Sequence, residues 1–254
     1  MDPIITNALM SFGAGFAGAS FSKAQGPGRA LDDLMTLVGF DKLHEVAEKK
    51  RVKRDLNIQL YKESIAQKIV EIPAENITEP PLSIVGPALD ASKFYIEEEV
   101  LREMFSSIIA ASMDNRLDDK VHTSFIDIIK QLSPHDALLL KKIKDINMHV
   151  GNPLPAMKMV IKEEDREKII FPLMVVFTNS DDFQKNAISL NNLSRLGIIE
   201  INMGRWSTDD SNFDILRENY IIKDVLNTYP QMELTKGSYS VNNFGQNFID
   251  ICVH

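Results

Sequence analysis

Gly13-Ala14-Gly15-Phe16-Ala17-Gly18 has the G-x-G-x-x-G spacing that lets a backbone approach a pyrophosphate, and Asp32 follows at roughly the distance of an acid that binds a ribose hydroxyl. Such a loop needs a buried strand before it and a complete βαβ unit after it. Here Gly26-Pro27-Gly28 interrupts the helix that would have to come next and no second strand is legible, so the glycines are assigned to helix packing. His122, His135 and His149 are scattered, with none of the H-E-x-x-H spacing that places two imidazoles on one helix face. The pairs Asp118-Asp119, Asp181-Asp182 and Asp209-Asp210 fall in segments that read as turns, where short carboxylates bond to nearby backbone. No serine stands in a nucleophile elbow. Cys252 is the only cysteine, so no disulfide or thiolate zinc site forms within the chain. The expectation is a protein without catalytic, cofactor or metal site, one that works by binding.

The bulk properties agree with a packed protein of one large domain or two small ones: 254 residues, 44% hydrophobic and 25% charged. A net charge of -8 gives no long-range attraction to nucleic acid or anionic lipid. The local exception is Lys49, Lys50, Arg51, Lys53 and Arg54, a run that reads as a solvated helix face or a contact for anionic headgroups. No secretory signal is visible, and a cytoplasmic location is expected.

The elements that position these residues fall into three zones. Residues 1–40 are rich in small residues and form a candidate membrane or oligomerisation segment. Residues 41–132 read as a helical core. Within it Val52, Leu56, Leu60, Ile65 and Ile69 form a stripe, and Val100, Leu101, Met104, Phe105, Ile108 and Ile109 mark another helix. Three prolines between Ile72 and Leu82 make an extended connector, and Pro87 is placed as the first residue of a new helix. Residues 133–254 form a second module, entered at Ser133-Pro134-His135-Asp136, a cap followed by proline and an acid. There a helix over 187–196 closes at Gly197, and a strand runs to Asn202. A hairpin over 232–241 turns at Lys236-Gly237, and a last helix spans 243–253. That order is winged-helix-like, with about 30 residues inserted before the hairpin. The fold class expected is mostly α: a helical amino-terminal and central region, then a winged-helix-like α/β module. Asn191, Asn192 and Arg195 on the presumed recognition helix suit protein docking. With 13 Lys/Arg against 16 Asp/Glu from Ser133 onward, the module is handicapped as a nucleic-acid reader.

A family resemblance is carried by the middle of the chain: Ile72-Pro73-x-Glu75-Asn76, Glu79-Pro80-Pro81-Leu82-Ser83-Ile84-Val85-Gly86-Pro87-Ala88-Leu89, Leu101-Arg102-Glu103-Met104-Phe105, Met113-Asp114, Val121-His122 and Ile128-Ile129-Lys130-Gln131-Leu132-Ser133-Pro134. These segments closely resemble the abortive infection alpha family, bacterial proteins associated with phage resistance. The match is dense from Lys49 to Pro134 and looser beyond. One departure is Thr123, where the family pattern has proline after Val-His. The resemblance implies a biological role, the halting of infected cells, and carries over no catalytic residue.

With that role in view, the start of the chain acquires a use. Residues 3–22 contain no charge and would span about 30 Å as a helix, the thickness of a bilayer core. Ile5, Leu9, Phe12 and Phe16 share one face, and Gly15 and Gly18 allow close packing of copies. Each glycine costs about 1 kcal/mol relative to alanine, so such a helix forms only when packed. Two functions from different classes stand ahead of a weaker third, a cryptic nuclease or nucleotide-consuming enzyme. In one, an effector recognises a phage component, assembles with copies of itself and permeabilises the inner membrane through this segment. In the other, a protein without a membrane step sequesters a phage or host factor. The expected partners are a phage protein, a second copy of the chain and, in the first reading, inner-membrane lipid.

Overall fold

The chain divides into two compact units in a computed structural model that describes residues 35, 48–146, 150–163 and 166–253. One ends at Pro134 and takes in the last residues from Asp250, and the other runs from His135 to Ile249. The first holds α1 (Glu48–Val70), α2 (Leu82–Ser92), α3 (Glu99–Ala111) and α4 (Ser124–Lys130). The second begins with α5 (Pro134–Asp145), β1 (Leu154–Glu163) and β2 (Arg166–Met174), followed by α6 (Phe183–Arg195) and β3 (Ile199–Asn202). It continues through α7 (Asp214–Glu218), α8 (Tyr220–Thr228) and β4 (Met232–Val241) into α9 (Asn243–Cys252). The expected plan of a helical part followed by a mixed α/β part is present. Residues 1–34, on which the amino-terminal segment falls, lie outside the described residues.

The first unit is built around α3, whose side chains are buried from Leu101 to Ala110 with the partial exception of Glu103. Tyr61, Ile65 and Ile69 of α1, Val85, Ala88 and Leu89 of α2, and Phe125 and Ile129 of α4 supply fully buried partners for this core. Burial of each large apolar side chain contributes about 1.5–3 kcal/mol. Only part of the expected α1 stripe faces this core. Ile65 and Ile69 do, whereas Val52 and Leu56 are 67% and 57% exposed and Leu60 is also exposed. The inward face instead runs through Asn57, Ile58, Tyr61, Ser64 and Ile65, so polar residues take core positions.

Pro87 also differs from expectation. Helix α2 starts at Leu82 with Pro81 at its cap, and Pro87 lies inside it. A proline there removes the bond its N–H would make to the Ser83 carbonyl. Pro87 and Ser83 are both exposed, so the interruption lies on the solvent side of the helix.

In the second unit the four strands pair antiparallel in the order β2-β1-β4-β3. The expected hairpin at Lys236-Gly237 is absent: β4 passes straight through both residues, paired with β1 on one side and β3 on the other. Gly237 sits in a close approach of β4 to Met203: a Cβ there would displace the end of the Met203 side chain, whose Sδ would lie at 2.6 Å, and crowd its Cα at 3.1 Å. The sheet therefore has four strands, with β1 and β2 as its hairpin, where a winged helix was expected to supply one strand and a hairpin. The segment between β3 and β4 is no loose insertion. It packs Phe213, Leu216 and Ile222 against Met157, Met159 and Met174 of the sheet.

Local chemistry sets the ends of α6. Asp182 caps it by accepting from Gln184 N and Lys185 N, so the helix starts four residues before the sequence reading placed it. At its other end Ile198 N donates to Leu193 O and Gly197 N to Ser194 O, each at 3.0 Å, with Gly197 at φ 75°. This paired arrangement needs the left-handed conformation that glycine adopts without cost.

Two glycines test this packing by contrast. A Cβ on Gly245 of α9 would lie 2.1 Å from the Ile198 carbonyl oxygen, whereas Gly86 of α2 has open space around it. Chemical denaturation should show Gly245→Ala destabilised by about 2 kcal/mol or more and Gly86→Ala changed by less than about 1 kcal/mol, since the helix preference of alanine is offset by contact of its Cβ with the Pro87 ring. Equal effects would mean that α9 does not approach Ile198 this closely.

Candidate functional site

The densest polar constellation in the first unit joins α1 to α3. Ser64 and Lys68 stand one turn apart on α1, and Lys68 Nζ donates to Ser64 Oγ at 2.9 Å and to Glu103 Oε2 at 2.8 Å. Ser64 Oγ lies 2.6 Å from the same carboxylate oxygen and 2.8 Å from Ser106 Oγ. Ser106 and Ser107 each donate to the Glu103 carbonyl at 2.8 Å. Burial opposes ionisation of Glu103, but the hydrogen bonds from Lys68 and Ser64 and the charges of Lys68 and Arg102 outweigh it, holding the carboxyl below its ordinary range. Beside this cluster lies a hollow of about 220 Å³ lined by Lys68, Ser107, Asp114 and Arg116 over Ile72, Ala110 and Ile251.

A serine next to a lysine and a carboxylate could in principle be a nucleophile. As placed, Ser64 is buried, Lys68 spends N–H donors on Ser64 and Glu103, and Glu103 is a weak base. The arrangement satisfies polar groups at a helix contact, and its chemistry is that of a clasp. Sequence reading missed it because serine, lysine and glutamate on a helix look like solvent-facing residues. The available signal was the i, i+4 spacing of Ser64 and Lys68 alongside the buried Tyr61 and Ile65.

The residues singled out from the sequence are dispersed. Ile5, Leu9, Phe12, Gly15, Phe16 and Gly18 lie outside the described residues, as does His149. Lys49, Lys50 and Arg51 are in the first turns of α1. Further along it Lys53 is exposed, and Arg54 pairs with Glu97 at 3.1 Å. Asn191 is exposed, whereas Asn192 donates to Asp136 at 3.0 Å and accepts from Arg195 Nη2 at 2.8 Å, so these two side chains brace α6. His122 accepts from the Ser124 backbone N–H, and His135 bonds to Asn186. Asp181 accepts from Phe177 N, Thr178 Oγ1 and Asn186 Nδ2, which is the turn chemistry expected of it.

Another hollow, of about 720 Å³, lies in the second unit. Along β4 the even-numbered side chains share one face. Met232 and Leu234 of that face pack under the segment between β3 and β4, and Lys236 lies over the Phe213 ring. Past that cover, Ser238 and Ser240 stand opposite Asn202 and Glu200 of β3. Those four polar residues line the hollow together with Arg205 and Trp206. None of them was singled out in the sequence; the only tryptophan of the chain, next to a glycine turn, was the signal.

With both units described, the chain can be set beside known proteins. Residues 53–252 match the model of one family, abortive infection alpha. The chain belongs to the abortive infection alpha family. No curated protein and no solved structure matches it. The segments that carried the resemblance meet each other in this abortive infection alpha protein. Thr78 N donates to Met113 O at 2.9 Å, Ile77 bridges to Asp114, and Asn76 Nδ2 donates to Asn115 Oδ1 at 2.9 Å. Asp114 is buried, and the Arg116 guanidinium beside it holds its carboxyl below the ordinary range. Among the described residues, no three His, Cys, Asp or Glu are grouped to hold a metal ion, and no helix is long and apolar enough to cross a membrane.

The clasp makes stability depend on pH. Glu103 stays ionised to lower pH in the folded chain than in the unfolded one, where the pKa is about 4.3. Its contribution is complete above that value and fades as pH falls through the folded value. In urea denaturation Glu103→Gln should cost about 1–2 kcal/mol at pH 7 and clearly less at pH 3. An equal cost at both would show that the charge does not matter.

Proposed function

We propose that this chain is an abortive-infection effector that works by binding rather than by turnover. Its folded units recognise a phage component, recognition drives association of copies, and residues 3–22 then enter the inner membrane of the infected cell. The observation that carries the defence role is membership of the abortive infection alpha family over residues 53–252. The insertion step rests on the sequence alone: a charge-free start of bilayer-spanning length, with bulky residues on one face and small ones on the other. In this reading the protein is cytoplasmic until triggered and membrane-associated afterwards.

A second reading keeps recognition and drops the membrane step, so that the protein sequesters a phage or host factor. The open polar hollow of the second unit supports it, as a recognition surface needing no insertion.

The two readings part on a full-length variant carrying Leu9→Lys and Phe16→Lys. Each lysine would cost about 2.5–3.5 kcal/mol at the centre of a spanning helix. Efficiency of plating and release of phage from infected cells should be low with the intact gene. Both should return to unprotected levels with the double variant, at equal protein abundance. Full protection by the double variant would remove the membrane step and leave sequestration, and no protection by the intact gene against any phage of a broad panel would remove the defence role.

A further inference from the structure

The two edges of the sheet are not alike. An edge strand offers unpaired N–H and C=O groups to any passing strand, and proteins guard such edges with charges, proline or a covering element. Strand β2 is guarded: Arg166, Glu167 and Lys168 open it and Pro172 lies near its end. Strand β3, Ile199-Glu200-Ile201-Asn202, carries no proline and a single charge, Glu200, against three on β2, and pairs only with β4. Among the described residues, 199–202 make no backbone–backbone bond outside that ladder, and the Asn202 carbonyl accepts from Ser238 Oγ at 3.5 Å.

All four β3 residues line the 720 Å³ hollow. Its overhang is held in place: Ser238 Oγ donates to the Arg205 carbonyl at 2.7 Å, and Gly204 N donates to Asn202 Oδ1 at 3.0 Å. The groups the overhang and floor present are unspent. Among the described residues, the side chains of Glu200, Arg205, Trp206 and Ser240 enter no hydrogen bond, ion pair or ring contact, and Trp206 is 48% exposed.

We propose that β3 and its hollow bind an extended peptide segment of a partner protein, added to the sheet as a fifth strand. Ile199 is buried, so the accessible edge runs over Glu200-Ile201-Asn202 and supplies main-chain hydrogen bonds over about three residues, or roughly 10 Å. The unpaired carboxylate of Glu200 and guanidinium of Arg205 select a strand that carries a basic and an acidic side chain on its hollow-facing side. The Trp206 ring covers an aliphatic or cationic side chain. A small polar ligand would use the floor and leave the strand edge unsatisfied, and only a polypeptide strand matches both. This deepens the recognition step proposed above and rests on it for its biological meaning, but binding itself needs no phage to be measured.

Because Trp206 is the only tryptophan, its emission reports on the site directly. A displayed library of unstructured eight-residue peptides is selected on the full chain, and the recovered peptides are synthesised and titrated. The expected result is a saturable change in Trp206 emission with slowed hydrogen exchange of the amides in 199–202. Labelled peptide should bind at least tenfold more weakly to Trp206→Ala and to Glu200→Lys, both exposed positions where the fold is kept. Recovery of no peptide, or binding that leaves exchange of 199–202 unchanged, would overturn the proposal. So would slowed exchange that depends on protein concentration without peptide, which would assign the edge to a second copy of the chain. If peptides bind as stated while the intact gene gives no protection, the defence reading fails and this one stands.

Discussion

Helix α3 must be buried on nearly every side while carrying Arg102, Glu103, Ser106 and Ser107, with Ser112 just past its end, and the rest of the first unit is arranged to make that tolerable. A buried polar group without a partner costs about 1–3 kcal/mol, so the four that are buried, Arg102, Ser106, Ser107 and Ser112, could together outweigh much of the apolar gain. Three serines bond back to carbonyls one turn earlier: Ser106 and Ser107 to Glu103, Ser112 to Ile109. Arg102 Nη1 reaches the Ile96 carbonyl at 3.0 Å, although its buried Nε makes no hydrogen bond. Glu103 is satisfied by α1, which explains why α1 turns Ser64 and Lys68 inward and leaves Val52 and Leu56 outside.

This polar requirement also explains what sequence reasoning could and could not see. Features decided by near neighbours were legible: the Ser133-Pro134 helix start, closure of α6 at Gly197, and the last helix. Features decided by distant residues were not. Gly237 looked like a turn because glycine usually marks one, but it is small for the sake of Met203 across the ladder. Pro87 looked like a helix start because proline is common there, and only the fold places it on the exposed side of α2, where a missing bond is tolerated. The α1 face was misassigned because hydropathy ranks Val52 above Ser64, whereas the clasp requires the reverse. The β1–β2 hairpin escaped because strand β1, rich in methionine and lysine, has weak strand character until it is packed.

The second unit turns a different constraint to use. A four-stranded sheet has two edges, and the chain guards one of them with charge and proline. The segment between β3 and β4, read from sequence as an insertion, covers the apolar part of one sheet face and stops at Lys236. Beyond it the face is polar and open, and the overhang fixed by Ser238 gives that opening a shape. Conformation and charge are what this surface offers, which suits the recognition step proposed above.

The claim that the chain halts infected cells through binding and insertion, without consuming a substrate, is tested most directly inside infected cells. Membrane potential is imaged cell by cell through infection while RNA, DNA and nucleotide pools are measured in parallel. The potential should collapse in cells carrying the intact gene before any loss of nucleic acid or nucleotides. A steady potential accompanied by early degradation of RNA, DNA or nucleotides would contradict the claim and point to an enzyme.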